Sequence, residues 1–181
     1  SAVALAVAGG ELAYSWPGGL PTPELVGDTA VYASVFDGVD LHLRALVDGF
    51  TWALVVHSRS AAANTELDRL RFGISASGLT LRERQGGGFE ALDAAGAVAL
   101  SADPALMWDS SGVRAQARTA APGPATGTAA GDEPVSRVVP DHSRTAELPT
   151  TLTGSEMVLL PDREVLRGAG TVYPVIIDPS T

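Results

Sequence analysis

Cysteine is absent from this 181-residue chain, and so is lysine: all 12 basic residues are arginine. Without cysteine there is no disulfide, no thiol nucleophile and no thiolate metal site. The compartment stays open, because a domain with a sizeable core needs no covalent staple. Basic charge is scarce, with 12 residues against 21 acidic ones and a formal net charge of -9. No basic stripe exists to neutralise phosphates, so a nucleic-acid backbone is disfavoured as a partner, and an anionic membrane surface likewise. Aromatic residues make up 6% of a chain that is 45% hydrophobic, which predicts a core rich in Val, Leu and Ala. The opening SAVALAVAGG is apolar but short. It has no basic flank and falls below the ~20 residues of a membrane span, so it reads neither as a signal peptide as it stands nor as a transmembrane helix. The abrupt ends suggest a piece of a longer polypeptide, and no membrane insertion is expected.

What the chain has in quantity is alternation. Val39, Leu41, Leu43 and Ala45 alternate with Asp40, His42 and Arg44; Phe50, Trp52, Leu54 and Val56 alternate again after Asp48-Gly49. This two-residue period with a polar turn predicts a hairpin, each strand having one apolar face. With the turn at Asp48-Gly49, His42 falls near Val55 and His57 near Asp40. A second hairpin is expected around Gly9-Gly10, and a strand over Thr29–Phe36 turns at Asp37-Gly38. Turn signals at Ser77-Gly78, Gly86-Gly87-Gly88, Asp93–Gly96 and Thr153-Gly154 separate further short strands. Thr145–Leu152 and Glu156–Leu160 read as one hairpin. Val172–Ile177 reads as a final strand that Pro174 pushes to an edge or a bulge. Only Ser60–Leu70 has a helical period, weakened by Asn64.

The count is roughly ten to thirteen strands with turns every ~8–12 residues. The expectation is an all-β, mostly antiparallel fold, either a sandwich or strongly curled sheets, with one short helix. It is a single domain over 1–181 with a flexible loop near 122–134, where APGPATGTAAGDEP has no large apolar anchor. The core should hold Val39, Leu41, Leu43, Phe50 or Trp52, Leu54, Val56, Phe72, Leu79, Leu81 and Ile176.

No catalytic constellation stands out. His42, His57 and His142 lack a metal-ligand spacing. There is no GxSxG, and the adjacent Asp141, His142 and Ser143 cannot aim at one another in a relay. With 21 acidic residues some carboxylate pair will always look like a glycosidase pair, so that signal is nearly empty. Asp37, Asp40, Asp109 and Asp178 sit at strand ends beside turns, where carboxylates hold structural calcium or simply cap the turn. Asp109 is expected to cap the N–H of Ser111 or Gly112, and Asp178 to end the last strand in the same manner. Otherwise no cofactor is expected. Trp16 and Trp108 are the sugar-stacking candidates, whereas Trp52 stands in register with core residues.

The phrases YASVFDGVDLHLRA, GFTWALVVHS, LRFGISASGLTLR, LMWDSSG and VYPVIIDPS resemble a β-rich module of large secreted actinobacterial proteins. Such proteins often carry LamG-like jelly-roll, DNRLRE or Rhs/YD-repeat regions. The matching positions include Tyr32, Gly38 to Leu41, Gly49, Phe50, Leu54 to Val56, Leu70, Phe72, Met107 to Ser111, Tyr173 to Val175 and Ile177 to Pro179; Asp37 stands where the family has proline. The resemblance implies an extracellular or cell-surface, non-enzymatic scaffold or adhesion-associated module. Its partners would be neighbouring domains of the same polypeptide, and glycans or surface proteins after them. The alternatives are a carbohydrate-binding module for wall or extracellular polysaccharide, and a fragment of a wall-active hydrolase or toxin-delivery protein.

Overall fold

The computed structural model describes residues 2–7, 9–46, 49–119 and 138–179. Along the chain run β1 (Ala2–Val7), β2 (Gly10–Ser15), β3 (Glu24–Val26), β4 (Thr29–Phe36), β5 (Val39–Leu46) and β6 (Gly49–Val56). Helix α1 (Arg59–Ala62) and a 3-10 turn (Thr65–Asp68) lead to β7 (Leu70–Ser77), β8 (Thr80–Glu83), β9 (Phe89–Leu92), β10 (Val98–Ala102) and β11 (Ala105–Trp108). Then follow α2 (Ser111–Thr119), β12 (Thr145–Leu148), β13 (Thr150–Thr153), β14 (Glu156–Leu159), α3 (Arg163–Arg167) and β15 (Val175–Asp178).

The fold is all-β and antiparallel in its pairings, with three short α-helices among the described residues rather than the one expected. The strands form a five-stranded sheet in the order β1-β2-β7-β14-β13, a seven-stranded sheet β12-β11-β15-β6-β5-β4-β3, and a small sheet β10-β9-β8. Among the described residues each sheet ends on open edges, so none closes into a barrel, and the strongly curled alternative does not describe them.

The alternation read from the sequence explains the core. Leu12, Tyr14, Phe72 and Ile74 from the five-stranded sheet share one apolar cluster with Val39, Leu41, Phe50, Trp52, Leu54 and Val56 from the seven-stranded one. Burying each large aliphatic or Phe side chain contributes about 1.5–3 kcal/mol. Rings cross the interface directly: Trp52 meets Phe72 edge-on at 4.5 Å, and Tyr14 meets Phe50 at 5.9 Å. Phe89 and Ala102 of the small sheet join the same core, and the main chain of Leu152 donates to the Glu83 carboxylate at 2.7 Å. Leu43, Leu79 and Leu81 are only half-buried at its margin. Ile176 lies on the opposite face with Ala53, Val55 and Trp108, while its neighbour Ile177 enters the main core. That is the one-residue alternation of a strand, assigned to the wrong face.

Several expectations change. The β5–β6 register pairs Leu46 with Gly49, so residues 47 and 48 intervene and Asp48 lies outside the described residues. His42 then faces Ala53 and Asp40 faces Val55. The shift is two residues, which is why the facial assignment survived it. Asn64 ends the helix after α1, its side chain accepting from the Glu66 N–H to cap the 3-10 turn. Pro149 splits the expected 145–152 strand, sending β12 and β13 to different sheets. Pro174 precedes β15 instead of interrupting it, and β15 is central, between β11 and β6, rather than an edge. Helix α3 was not expected; Asp162 is its N-cap, accepting from Val165 N–H at 2.9 Å. The expected loop near 122–134 lies outside the described residues. No helix among the described residues is long and apolar enough to cross a membrane.

Candidate functional site

The motif MWDSSG and the segment leading into YPVIID meet at Asp109. Asp109 follows β11 and is fully buried. One oxygen accepts from the Ser111 N–H at 3.1 Å, the Ser111 hydroxyl at 2.5 Å and the Arg144 N–H at 3.0 Å; the other accepts from the Val172 N–H at 3.1 Å. The turn onto Ser111 is the one expected from sequence, whereas the bonds to residues 144 and 172 come from the fold. Ser110 closes the knot, its N–H donating to Val172 O and its hydroxyl to Pro174 O. Gly112 is required here, since a Cβ would stand 2.3 Å from the Asp141 carbonyl oxygen. Burial raises the Asp109 pKa, but the hydrogen bonds outweigh it and hold the carboxyl below its usual range. The arrangement braces three chain segments.

The other aspartates are placed apart. Asp40 receives the Ser34 N–H at 2.7 Å, closing the irregularity of β4 where Ser34 turns to φ 54°, and its second oxygen meets His57 Nε2 at 2.7 Å. Asp37 is exposed in the turn. Asp178 is the last residue of β15; it is buried and lines a small recess with Thr29, His42 and Arg44. Among the described residues no group of three or more His, Asp or Glu is placed to hold a metal ion.

His42, expected on a wet face, is buried because Asp178 and Thr29 crowd the same recess. Its Nδ1 has no hydrogen-bond partner. Burial lowers its pKa from the ordinary 6.5; Asp40 works against that and His57 adds to it. Between 6.5 and the lower folded value, the unfolded chain binds a proton that the folded chain refuses. Stability is therefore full above pH 6.5 and is lost as pH falls through that window. Urea unfolding at pH 7 and pH 5 should show a smaller loss on acidification for His42→Gln than for the unchanged chain. An identical loss would assign the titration elsewhere.

The third arrangement is an aromatic cleft between the two larger sheets. Its buried floor is Tyr14, Leu41, Phe50, Trp52 and Phe72, and its half-buried rim includes Trp16, Tyr32 and Leu43. The cavity measures about 60 Å³. Trp16 packs on Phe36 and Phe72 at 5.5 and 5.6 Å, so it is half-buried and only partly available as a stacking surface. Trp108 is 4% exposed in the second apolar cluster and offers no solvent-facing ring. The Tyr14 hydroxyl and Trp52 Nε1 are buried without hydrogen-bond partners, each an omission worth about 1–3 kcal/mol. Burial also pushes the Tyr14 phenol pKa up.

Comparison with family models, curated proteins and solved structures found no match.

Sequence reading did not single out Tyr14, Arg59 or Arg167. Tyr14 stands two residues from Leu12 and Trp16, so its inward face was legible. That it faces Phe50 and Trp52 depends on how two sheets pack, which no local pattern encodes. Arg59 and Arg167 show their purpose only in the fold, across more than a hundred residues of sequence.

Proposed function

We propose that this chain is a non-catalytic structural and interaction module of a secreted or cell-surface multidomain protein. In this reading it is one β-rich unit of sandwich-like build that holds neighbouring domains of the same polypeptide. The observation that supports it is the use of charged side chains. Asp109, Asp40, Arg59 and Arg167 all bond to main-chain groups of other segments, which stiffens the body. The location rests on the resemblance of the MWDSSG and YPVIIDPS phrases to secreted modules.

A stiff body of this kind acts through its edges and loops. Strand β3 closes one end of the seven-stranded sheet and carries Leu25 at 76% exposure. An edge strand presents unpaired N–H and C=O groups that another chain can extend. Carbohydrate binding is the second reading, and Trp16 at the cleft rim is the feature that favours it.

The chain has no lysine, so cross-linking must use carboxylates. A dihydrazide cross-linker applied to the full polypeptide should join Glu24, beside Leu25, to residues outside this module. Cross-links confined to the module would count against the scaffold reading. Saturable binding to peptidoglycan, chitin or cellulose that Trp16→Ala abolishes in a folded variant would favour the carbohydrate reading instead. Hydrolysis of any of these polymers would overturn the non-catalytic assignment.

A further inference from the structure

We propose that the groove beside the edge strand β1 is a docking slot for one extended peptide strand, apolar at alternate positions and flanked by basic residues. The proposal goes beyond the scaffold reading: the slot would take such a strand from any polypeptide, so the two can fail separately.

Two observations meet there. The first is a core row that runs out into solvent. The registers set Trp52, Leu43, Ala30 and Leu25 side by side across β6, β5, β4 and β3, on the face that carries the core. Trp52 is 6% exposed, Leu43 and Ala30 are half-buried, and Leu25 is 76% exposed. The five-stranded sheet therefore stops short and leaves β3 and β4 as an apolar shelf. The groove on that shelf measures about 470 Å³, with Ala4 of β1 on one side and Leu25, Ala30, Leu43, Ala45 and Phe50 along the rest. One water needs only ~10–15 Å³.

The second observation is the strand edge that forms the wall. Strand β1 ends the five-stranded sheet, and its sequence AVALAV carries none of the charges or prolines that guard an edge. Main-chain bonds alternate between the two sides of an antiparallel strand. The Ile74 N–H of β7 donates to Ser155, on the β14 side, so Gly73 and Ser75 bond to Ser15 and Ala13 of β2. The main chains of Leu12 and Tyr14 then bond to those of Leu5 and Val3. Ala4 and Ala6 are left with their N–H and C=O groups on the open side, where nothing among the described residues bonds to them.

An edge of donors and acceptors asks for another main chain, and the shelf asks for apolar side chains at every second position. A lipid tail would cover the shelf but leave the edge unmet. A second copy joined through β1 by a two-fold axis would bring its own shelf into the layer where the first copy's shelf already lies. Asp28, at the shelf, is answered by Arg44 at 2.9 Å. Glu24 beside Leu25 and Glu11 opposite Ala6 are exposed without an ion pair among the described residues, which favours basic flanks on the incoming strand.

The probe is a dye-labelled peptide with blocked ends, Lys-Val-Thr-Val-Thr-Val-Lys. Fluorescence anisotropy with the full chain should show saturable binding. Two further versions carry N-methyl groups, one on the valines and one on the threonines. A strand that bonds to β1 along one edge should lose about tenfold in affinity in one version and keep it in the other. Leu25→Asp changes an exposed side chain, so it should fold, and it should weaken binding about tenfold. Ala4→Pro removes a donor that faces only the open side, and it should weaken binding likewise while the melting temperature shows a folded chain; the methylated pair tests the same edge on the unchanged chain. The proposal fails if the peptide does not saturate, if both methylated versions bind equally, or if a folded Leu25→Asp binds as before. Dimerisation of the free chain that Ala4→Pro abolishes would assign the slot to a second copy and overturn it too.

Discussion

Asp109→Ala should lower the unfolding free energy by about 4 kcal/mol, a large share of the ~5–15 kcal/mol typical of a domain. The carboxylate accepts from three backbone N–H groups and one hydroxyl, and it is fully buried. Alanine leaves the N–H groups of Ser111 and Val172 without an acceptor, and the Arg144 N–H with only its longer bond to the Ser111 hydroxyl oxygen at 3.3 Å. A buried group left unsatisfied costs about 1–3 kcal/mol, and losses in one place do not add fully because the turn relaxes. Asp109→Asn keeps an acceptor oxygen but turns an amide N–H toward a donor, so it should lose about half as much. Urea unfolding at pH 7 measures both. The carboxyl's folded pKa lies below its ordinary 3.8, so its contribution is full above that pH and falls away as pH drops through the folded value. The Asn variant should lack that acid-limb loss. A cost under about 1.5 kcal/mol for alanine would mean that water replaces the carboxylate.

The same residue marks what local sequence reveals. The Asp109 bond to Ser111 spans two positions and follows from the habits of aspartate in turns. Its bonds to Arg144 and Val172 span 35 and 63 positions, and nothing nearby in the chain announces them. The hairpins β1–β2, β5–β6, β8–β9 and β9–β10 were legible for the same reason: period two and a turn residue are local. Which hairpin lies beside which is not local. Strand β15 was expected at an edge or with a bulge because of Pro174, yet it sits in the middle of the largest sheet, the proline lying one residue before its ladder. The cleft was hidden likewise, since Tyr14 and Trp52 come from different sheets.

Arg167→Ala should cost about 3 kcal/mol, the second-largest effect expected of a single polar substitution here. The guanidinium of α3 donates to the carbonyls of Ala62 and Asn64 and to the Asp68 carboxylate, so it caps the end of α1 and holds the 3-10 turn. Arg59 answers from the other side, donating to the carbonyls of Arg167 and Gly168 at 2.9 and 2.8 Å while its guanidinium lies 5.8 Å from the Tyr173 ring centre. Each arginine thus closes an end of the helix that carries the other. Lysine at position 167 supplies a single charged point that cannot reach three acceptors set at different angles, so it should recover less than half of the loss. The reciprocity makes a sharper test than either single change. If the two clamp one junction, Arg59→Ala and Arg167→Ala together should cost about 1 kcal/mol less than the sum of the two alone, because the first already frees the junction. Strict additivity in that cycle would mean that the two arginines brace separate places and that the α1–α3 contact holds without them.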